Sequence, residues 1–427
     1  MNDKLSKEFL KITTFTRPAV PWGVVLGLLL VVLAATTLSV YRSSWIKGSS
    51  CFSNDIRHVP LTHSAFTYHI NCDSPAFIEA GKDFPGEFKD HKIRMSRPGY
   101  PALENMLSKL GAFFSGLRGA ILINVLLAWS AAVLFYVLVN EFFNKKIAVI
   151  STLLLILSTH FHLFLGQAHT EVAGDAVVVF TLFLLYRYIK RPSSVRLVIF
   201  SFVIGLLMLI KLVFALPIFF FLLALKYHRL KEFLGHLTFI ILPSVGWYLY
   251  VTRVLKTAFR SAEVSVYQQG TWYLHFFPHP SRWDDLIRAF LYSNGLFVID
   301  TMIAFLVILP PLSIYGLIKW PHYVKDKFFW YISFVISFAL MLLLILWGGA
   351  RLAFGIFPVI LPFGVYGFFA LLDRYKIHSK RMRYTIFSVL ALLVISLSFV
   401  NIYDLAPSYD NNHVRGIAGV PIPMGHL

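Results

Sequence analysis

The sequence predicts an all-α polytopic membrane protein, with about 11 transmembrane helices and a long first outer loop that bears surface-lying amphipathic helices. The first observation is composition. Hydrophobic residues make up 57% of the 427 positions, and the mean hydropathy of +0.69 lies far outside the range of soluble domains. The second is that apolar runs of about 17–22 residues recur, each long enough to cross a hydrocarbon core of roughly 30 Å. The third is that the loops between these runs alternate in charge.

These segments are expected to form a single transmembrane domain over residues 1–427, with long outer loops at 42–117 and 253–296 and no soluble C-terminal domain. The fifth and sixth segments are short and meet at Lys211, so that one charged residue defines the boundary between them. The 11 predicted segments cover roughly residues 20–41, 118–140, 147–165, 173–189, 197–212, 213–227, 234–252, 297–318, 328–347, 352–372 and 384–403.

Every second loop is short and basic, as the positive-inside rule requires of cytoplasmic loops. This predicts a cytoplasmic N-terminus, an outer C-terminus and a retained first helix, because no small-residue cleavage site follows it. The net charge of +18 is spread over many helix ends, where Lys and Arg contact anionic lipid heads, and it does not favour a nucleic-acid partner. The basic loops are 144–146, 187–196, 226–231, 319–327 and 373–383.

The first outer loop contains both cysteines, Cys51 and Cys72, on the oxidising side of the membrane. A disulfide between them would stabilise the loop by roughly 3 kcal/mol, and the alternative is two free buried thiols. Two amphipathic helices are expected in this loop, with the turn Arg-Pro-Gly-Tyr-Pro at 97–101 leading into the second. Their apolar faces are Ala76, Phe77 and Ala80 in the first, and Leu103, Met106, Leu107 and Leu110 in the second. The aromatic residues and histidines of the loop at 253–296 either bind a ligand or lie among lipid head groups.

Two carboxylates, Glu171 and Asp175, lie four residues apart at the start of the fourth predicted helix. That spacing puts both on one helix face, and the helix N-terminus stabilises their charge. Acidic residues just inside a membrane helix are costly and usually functional. The alternative is an interfacial cap wetted by water.

Two cations, Lys211 and Arg351, interrupt apolar regions at outer helix ends, where topology does not require positive charge. With Arg94 and Arg97 they would form a site for an anionic head group, most naturally a phosphate. The alternative is that Lys211 and Arg351 reach out to lipid phosphates.

No P-loop, dinucleotide fingerprint or metalloprotease motif is present. His160, His162 and His169 lie near Glu171 but lack a recognisable ligand spacing, so no metal site is predicted and a divalent cation is left only as an option. A transporter is disfavoured because we find neither related halves nor matching broken helices.

Four short motifs in this sequence resemble motifs of a known protein family. Asp73 and Ser74, followed by Phe77 and Ala80, look like a first-loop DS..Y...A pattern, and residues 97–101 look like the RPPGYP that follows it. Thr170 and Glu171 look like a TE pair that opens the fourth helix, and Arg351, Phe354 and Pro358 look like a late RY..P...P element. Together they resemble the polytopic glycosyltransferases of the C superfamily, which use polyprenyl-phosphate-linked sugars, and within it the enzymes similar to the aminoarabinose and protein mannosyl transferases. Three features depart from the family pattern: Phe77 replaces the usual tyrosine, Asp73 lacks a neighbouring acid, and a soluble C-terminal domain is not predicted.

The resemblance implies transfer of a sugar from a polyprenyl-phosphate donor to a lipid, glycan or protein acceptor at the outer face of a bacterial inner membrane. Asp73 is then the general base, and Glu171 orients the acceptor or the sugar. A transporter or flippase, and a polymerase or ligase of surface polysaccharide, stay as alternatives. The implied ligands of the donor phosphate are Arg94, Arg97, Lys211 and Arg351, and those of the acceptor or sugar are Tyr100, His169 and Asp175.

Overall fold

The computed structural model describes residues 20–44, 77–78, 80–89, 96–158, 161, 164–166, 168, 170–211, 213, 215–259, 280–283, 308–320, 333–337, 340, 354–375, 379, 381–386, 388–389 and 392. Within these residues the protein is helical, and no strand is formed. The α-helices are α1 (Trp22–Ser44), α2 (Gly99–Ser108), α3 (Leu117–Phe142), α4 (Lys145–Leu157), α5 (Glu171–Lys190), α6 (Ser194–Ile210), α7 (Ala215–Lys226), α8 (Leu230–Leu249), α9 (Leu309–Lys319) and α10 (Phe357–Arg374).

Four apolar helices are long enough to cross a membrane in the part of the chain that is described. They are α1, α3, α10 and α8, the last extended by a π-helical turn at Tyr250–Val254. The shorter helices α6 and α7 are also apolar. The membrane protein predicted from composition is therefore supported, whereas the count of 11 helices stays a prediction.

The boundary predicted at Lys211 is confirmed, since α6 ends at Ile210 and α7 begins at Ala215. The continuous helix predicted over 147–165 is wrong, because α4 ends at Leu157 and the chain turns at Ser158. The Ser158 hydroxyl donates to the carbonyl of Leu155 and accepts from the amide of Phe161, at 2.8 and 3.4 Å, which stabilises the turn.

Backbone groups between α4 and α5, at the end of a short helical piece that includes Phe164 and Leu165, are bonded by side chains of other helices. The Asn124 amide group of α3 donates to the carbonyls of Phe164 and Leu165, at 3.2 and 3.5 Å. The hydroxyl of Ser39 on α1 accepts from the amide of Gly166 at 2.9 Å. At membrane depth, irregular backbone is tolerated only where the protein supplies such partners. Helices α1 and α3 therefore hold the chain that leads into α5.

Close helix contacts depend on small residues. A Cβ atom built at Gly367 of α10 would lie 2.0 Å from the carbonyl oxygen of Leu312 on α9, and one at Gly316 would lie 2.1 Å from that of Phe363. Small residues that let two backbones approach are the usual means of helix association in membranes, where lipid removes most of the hydrophobic driving force.

Helix α2 buries polar residues against the rest of the protein. Met106 and Leu110, on the apolar face predicted to lie along the membrane surface, are 64% and 72% exposed, whereas Glu104 and Asn105 are buried. For Asn105 the neighbouring element offers polar partners, since its side-chain amide donates to the backbone carbonyls of residues 81 and 82. Next to lipid, an apolar residue gains little by turning inward, so polar contacts decide which face is buried.

Candidate functional site

Helix α5 begins where the sequence predicts, with Thr170 as its N-cap and Glu171 in its first turn. Thr170 is fully buried, and Glu171 and Asp175 are each 4% exposed. A threonine in this position usually bonds its side chain to the first amides of its own helix. Here the Thr170 side chain makes no such bond, and its hydroxyl accepts hydrogen bonds from two cations instead.

The first of these cations is Lys211, which lies at the C-terminal end of α6 and is 6% exposed. Its ammonium group donates to Glu171 Oε1 at 3.0 Å and to Thr170 Oγ1 at 3.4 Å. A cation is favoured at the end of a helix, where the carbonyl dipoles point. The pair with Glu171 also compensates two charges that would be costly to bury singly.

The path of the Lys211 side chain depends on Gly174 of α5. A Cβ atom at this position would lie 3.2 Å from Cγ of Lys211, which is tighter than an ordinary van der Waals contact. The glycine therefore leaves the groove along which the lysine stem reaches Glu171.

The second cation is Arg97, whose Nη1 donates to Thr170 Oγ1 at 3.4 Å. It lies just before α2, and Gly99 brings this helix directly against the end of α6. A Cβ atom at Gly99 would lie 2.9 Å from the amide nitrogen of Ile210. This close approach places the guanidinium group beside the lysine that follows Ile210.

Asp175 lies one turn beyond Glu171 on α5. Its Oδ1 is buried and has no hydrogen-bond partner among the described residues. A buried carboxylate oxygen without a partner is costly, and a site that binds a hydroxyl or an amine would supply the missing donor. We refer to Arg97, Thr170, Glu171, Asp175 and Lys211 as the Thr170 site.

The structure thus brings together four of the residues singled out from the sequence: Arg97, Glu171, Asp175 and Lys211. Tyr100 is separate, because its side chain is fully buried and its hydroxyl donates to Asn124 Oδ1 at 3.1 Å. This packing does not support the predicted contact of Tyr100 with a sugar. Asp73, Arg94, His169, Arg351 and the cysteines Cys51 and Cys72 lie outside the described residues.

Sequence reasoning treated Thr170 only as part of a motif and missed the roles of Gly99 and Gly174. It also missed Glu104, which is 2% exposed and whose Oε2 has no partner among the described residues. Burial raises the pKa of Glu104 to about 8, and nearby Lys82 opposes this shift. Its position four residues after Tyr100, on the same helix face, was the available signal.

No three His, Cys, Asp or Glu side chains come together as metal ligands within the described ranges. In the Thr170 site, two cations share one hydroxyl as a neighbour, and two buried carboxylates lie beside them. Such a pair of cations is suited to bind the oxygens of a phosphate group.

Residues 98–248 match the model of the dolichyl-phosphate-mannose-protein mannosyltransferase family. The matched part runs from the start of α2 almost to the end of α8, and it contains the whole Thr170 site except Arg97. No curated protein and no solved structure matches the chain. The family match supports the resemblance that the sequence motifs carry, to the polyprenyl-phosphate-sugar membrane glycosyltransferases of the C superfamily.

Proposed function

We propose that this protein transfers a sugar from a polyprenyl-phosphate donor to a hydroxyl or amine of a lipid, glycan or protein at the outer face of the membrane. The observation that carries the proposal is the convergence of Arg97 and Lys211 on the Thr170 hydroxyl, each at 3.4 Å. These cations come from two different parts of the chain and meet at one end of α5. The family match supports the donor class.

The two cations suit the leaving group of this reaction. When the acceptor oxygen or nitrogen bonds to the anomeric carbon, the bond from that carbon to the phosphate oxygen breaks, and its electron pair leaves with the lipid phosphate. Cations that are already in place stabilise the charge that grows there, and they do so most strongly in a site from which water is excluded. We assign this role to Arg97 and Lys211, and we expect Arg94 and Arg351 to contribute.

The acceptor must lose a proton as it attacks, and we assign Asp73 as the base that takes it. A positioned carboxylate accelerates such a step by roughly 10²–10⁴-fold. We assign two roles to Glu171. It orients Lys211 through the 3.0 Å ion pair, and it orients the acceptor or the sugar. The unpartnered Oδ1 of Asp175 is available to a hydroxyl or amine of the sugar or acceptor, a role that we also expect of His169.

The proposal is tested with the purified full-length protein in detergent. Synthetic polyprenyl-phosphate mannose, glucose and arabinose, each radiolabelled in the sugar, are incubated with the protein and a membrane extract that provides acceptors. We expect release of polyprenyl phosphate together with labelled glycoside from at least one donor. Asp73→Asn should lower the rate at least about 100-fold while the protein remains folded.

A parallel measurement separates the enzyme from a flippase. The protein is reconstituted into vesicles that contain a fluorescent polyprenyl-phosphate sugar, and the accessibility of the label to an external quencher is followed. Movement of intact donor between leaflets, without transfer from any donor in detergent, would contradict the proposal. Wild-type transfer by Asp73→Asn would remove Asp73 from the base role.

A further inference from the structure

A partly open cavity of about 90 Å³ lies between helices α3, α5, α7 and α10 and the end of α9. It is far from the Thr170 site, because Tyr186 in its lining follows Glu171 by 15 positions, which is about 22 Å along α5. Its lining is aromatic and aliphatic, and it includes Phe142, Leu182, Phe219, Trp320, Phe334 and Pro362. We call it the aromatic cavity.

The aromatic cavity has the size and the lining to take up hydrocarbon. Apolar cavities stay free of water, and a water-sized group needs roughly 10–15 Å³. The volume of about 90 Å³ therefore has room for a stretch of hydrocarbon chain. A long, thin apolar ligand fits such a space better than a polar one.

One end of the aromatic cavity is held by three rings from three different helix ends. Phe143 stacks on Trp320 with the ring centroids 4.8 Å apart, and both rings meet Phe363 edge to face, at 5.2 and 4.8 Å. The hydroxyl of Tyr186, another lining residue, donates to the carboxylate of Glu141, so this acid is already bonded. These contacts hold the ends of α3, α9 and α10 together at the cavity.

Three cations adjoin the same end of the cavity. Lys145, Arg187 and Lys319 each lie within two positions of an aromatic lining residue, and their side chains are exposed. Within the described residues, none of them forms an ion pair that would neutralise its charge. They belong to three of the basic loops that the positive-inside pattern assigns to the cytoplasmic side. We call these three residues the basic rim.

We propose that the aromatic cavity and the basic rim form a binding site for one anionic phospholipid, with an acyl chain in the cavity and the phosphate on the rim. Basic pockets between membrane helices on the cytoplasmic side bind anionic head groups, and each cation near the membrane surface strengthens binding roughly fivefold. Charge complementarity therefore selects an anionic lipid over a neutral one. The site does not depend on the proposed function, since it lies at the other end of α5.

The head-group half of the site is tested with the purified full-length protein in detergent, by native mass spectrometry with dioleoyl phosphatidylglycerol and dioleoyl phosphatidylcholine. The anionic lipid should bind at least about 10-fold more tightly than the neutral one. Arg187→Gln combined with Lys319→Gln should weaken binding of the anionic lipid roughly 10- to 30-fold and leave that of the neutral lipid unchanged. Lys231→Gln, at an exposed position of α8 in another basic loop, is the matched control and should change neither.

The acyl-chain half is tested with phosphatidylglycerol that carries a photoreactive diazirine in one chain. Cross-links should map to the lining residues of α5 and α10. Val359→Phe adds bulk at a lining position and should lower this labelling at least about 10-fold. Ile199→Phe, on the exposed face of α6, is the matched control and should not lower it. If Val359→Phe does not fold, the positions of the cross-links in the wild-type protein decide.

Four outcomes would overturn the proposal. The first is equal affinity for the two lipids, and the second is a loss from Lys231→Gln as large as that from the rim variant, which would indicate general surface charge. The third is labelling that maps away from the cavity. The fourth is displacement of the label by an equal or lower concentration of polyprenyl phosphate, which would make a prenyl chain the occupant of the cavity.

Discussion

Helices α5 and α6 carry two buried polar clusters, one near each end. At the N-terminus of α5, the Thr170 site combines Glu171 with Lys211 in an ion pair. Near the C-terminus of α5, and about 15 Å before Lys211 along α6, Ser201 of α6 shares a hydrogen bond with Nδ1 of His236 on α8. There the Tyr188 ring packs edge to face on the imidazole, and its hydroxyl donates to Glu232 at 2.9 Å.

The two clusters differ in whether a polar group remains available to bind a ligand. Ser201 is hydrogen-bonded to His236, and Tyr188 to Glu232. The Tyr188 ring joins the two pairs by its contact with the imidazole, on which Phe220 stacks. The Thr170 site instead retains a buried carboxylate oxygen on Asp175 without a partner among the described residues. Polar groups between membrane helices can serve packing or chemistry, and the unfinished hydrogen bonding of the Thr170 site favours chemistry there.

Loss of the lysine should produce the largest effect. Lys211→Gln removes the ammonium group that we assign to the leaving phosphate, and kcat should fall about 100-fold or more. The substitution also leaves Glu171 buried without its ion-pair partner, which costs about 3–5 kcal/mol of stability. Adding Glu171→Gln should restore the unfolding temperature but not turnover. Steady-state kinetics and thermal unfolding in detergent check the two effects separately.

The matched control for that variant is Lys226→Gln, which changes a lysine in the last turn of α7 and should leave turnover unchanged. If Lys211→Gln folds and keeps wild-type kinetics, the lysine has only a packing role. The phosphate site would then have to be sought around Arg94 and the loop at 253–296.

A smaller effect is expected from Arg97→Lys. An ammonium group cannot bind two phosphate oxygens in the planar geometry of a guanidinium, so kcat/KM for the donor should fall about 10-fold. Arg351→Lys should follow the same pattern. Arg253→Lys, at an exposed position of the π-helical turn, is the control. Equal kinetics for Arg97→Lys and the wild type would show that only the charge matters.

The other cluster should respond in the opposite way. Ser201→Ala leaves His236 Nδ1 without its partner, and the free energy of unfolding should fall by about 1–3 kcal/mol. The rate of transfer should stay within about twofold of the wild type, because this cluster lies far from the Thr170 site. Thr238→Ala, on the exposed face of α8, should change neither quantity. A large loss of turnover in a folded Ser201→Ala variant would show that this cluster also contributes to the reaction.

The smallest effect concerns Glu104, outside both clusters. Burial raises its pKa to about 8 from an ordinary value of 4.5, so the folded protein binds the proton more tightly than the unfolded chain. This stabilises the fold below about pH 4.5, and the contribution is lost as the pH rises towards 8. Glu104→Gln should therefore flatten the decline of the unfolding temperature between about pH 5 and pH 8. An unchanged slope would show that Glu104 does not titrate in this range.

Local features of the fold were accessible from the sequence. The start of α5 at Glu171 follows from the threonine and acid that open an apolar run, and the break after Ile210 follows from one charge between two apolar stretches. Both predictions succeeded because helix ends depend on the side chains within one turn of them. The turn predicted at 97–101 is confirmed only in part, because Gly99, Tyr100 and Pro101 already belong to α2. Pro101 lies in the first turn of that helix, where its missing amide costs no hydrogen bond.

The assembly of the site was decided by tertiary structure. The ion pair joins residues 40 positions apart, and Arg97 reaches Thr170 across 73 positions. Those distances depend on two glycines, Gly99 and Gly174, that let α2 and the lysine stem come close, and spacing alone does not encode such contacts. The buried face of α2 was likewise set by its neighbours: next to lipid, burying an apolar side chain gains little, so hydrogen-bond partners on other elements determine which residues turn inward.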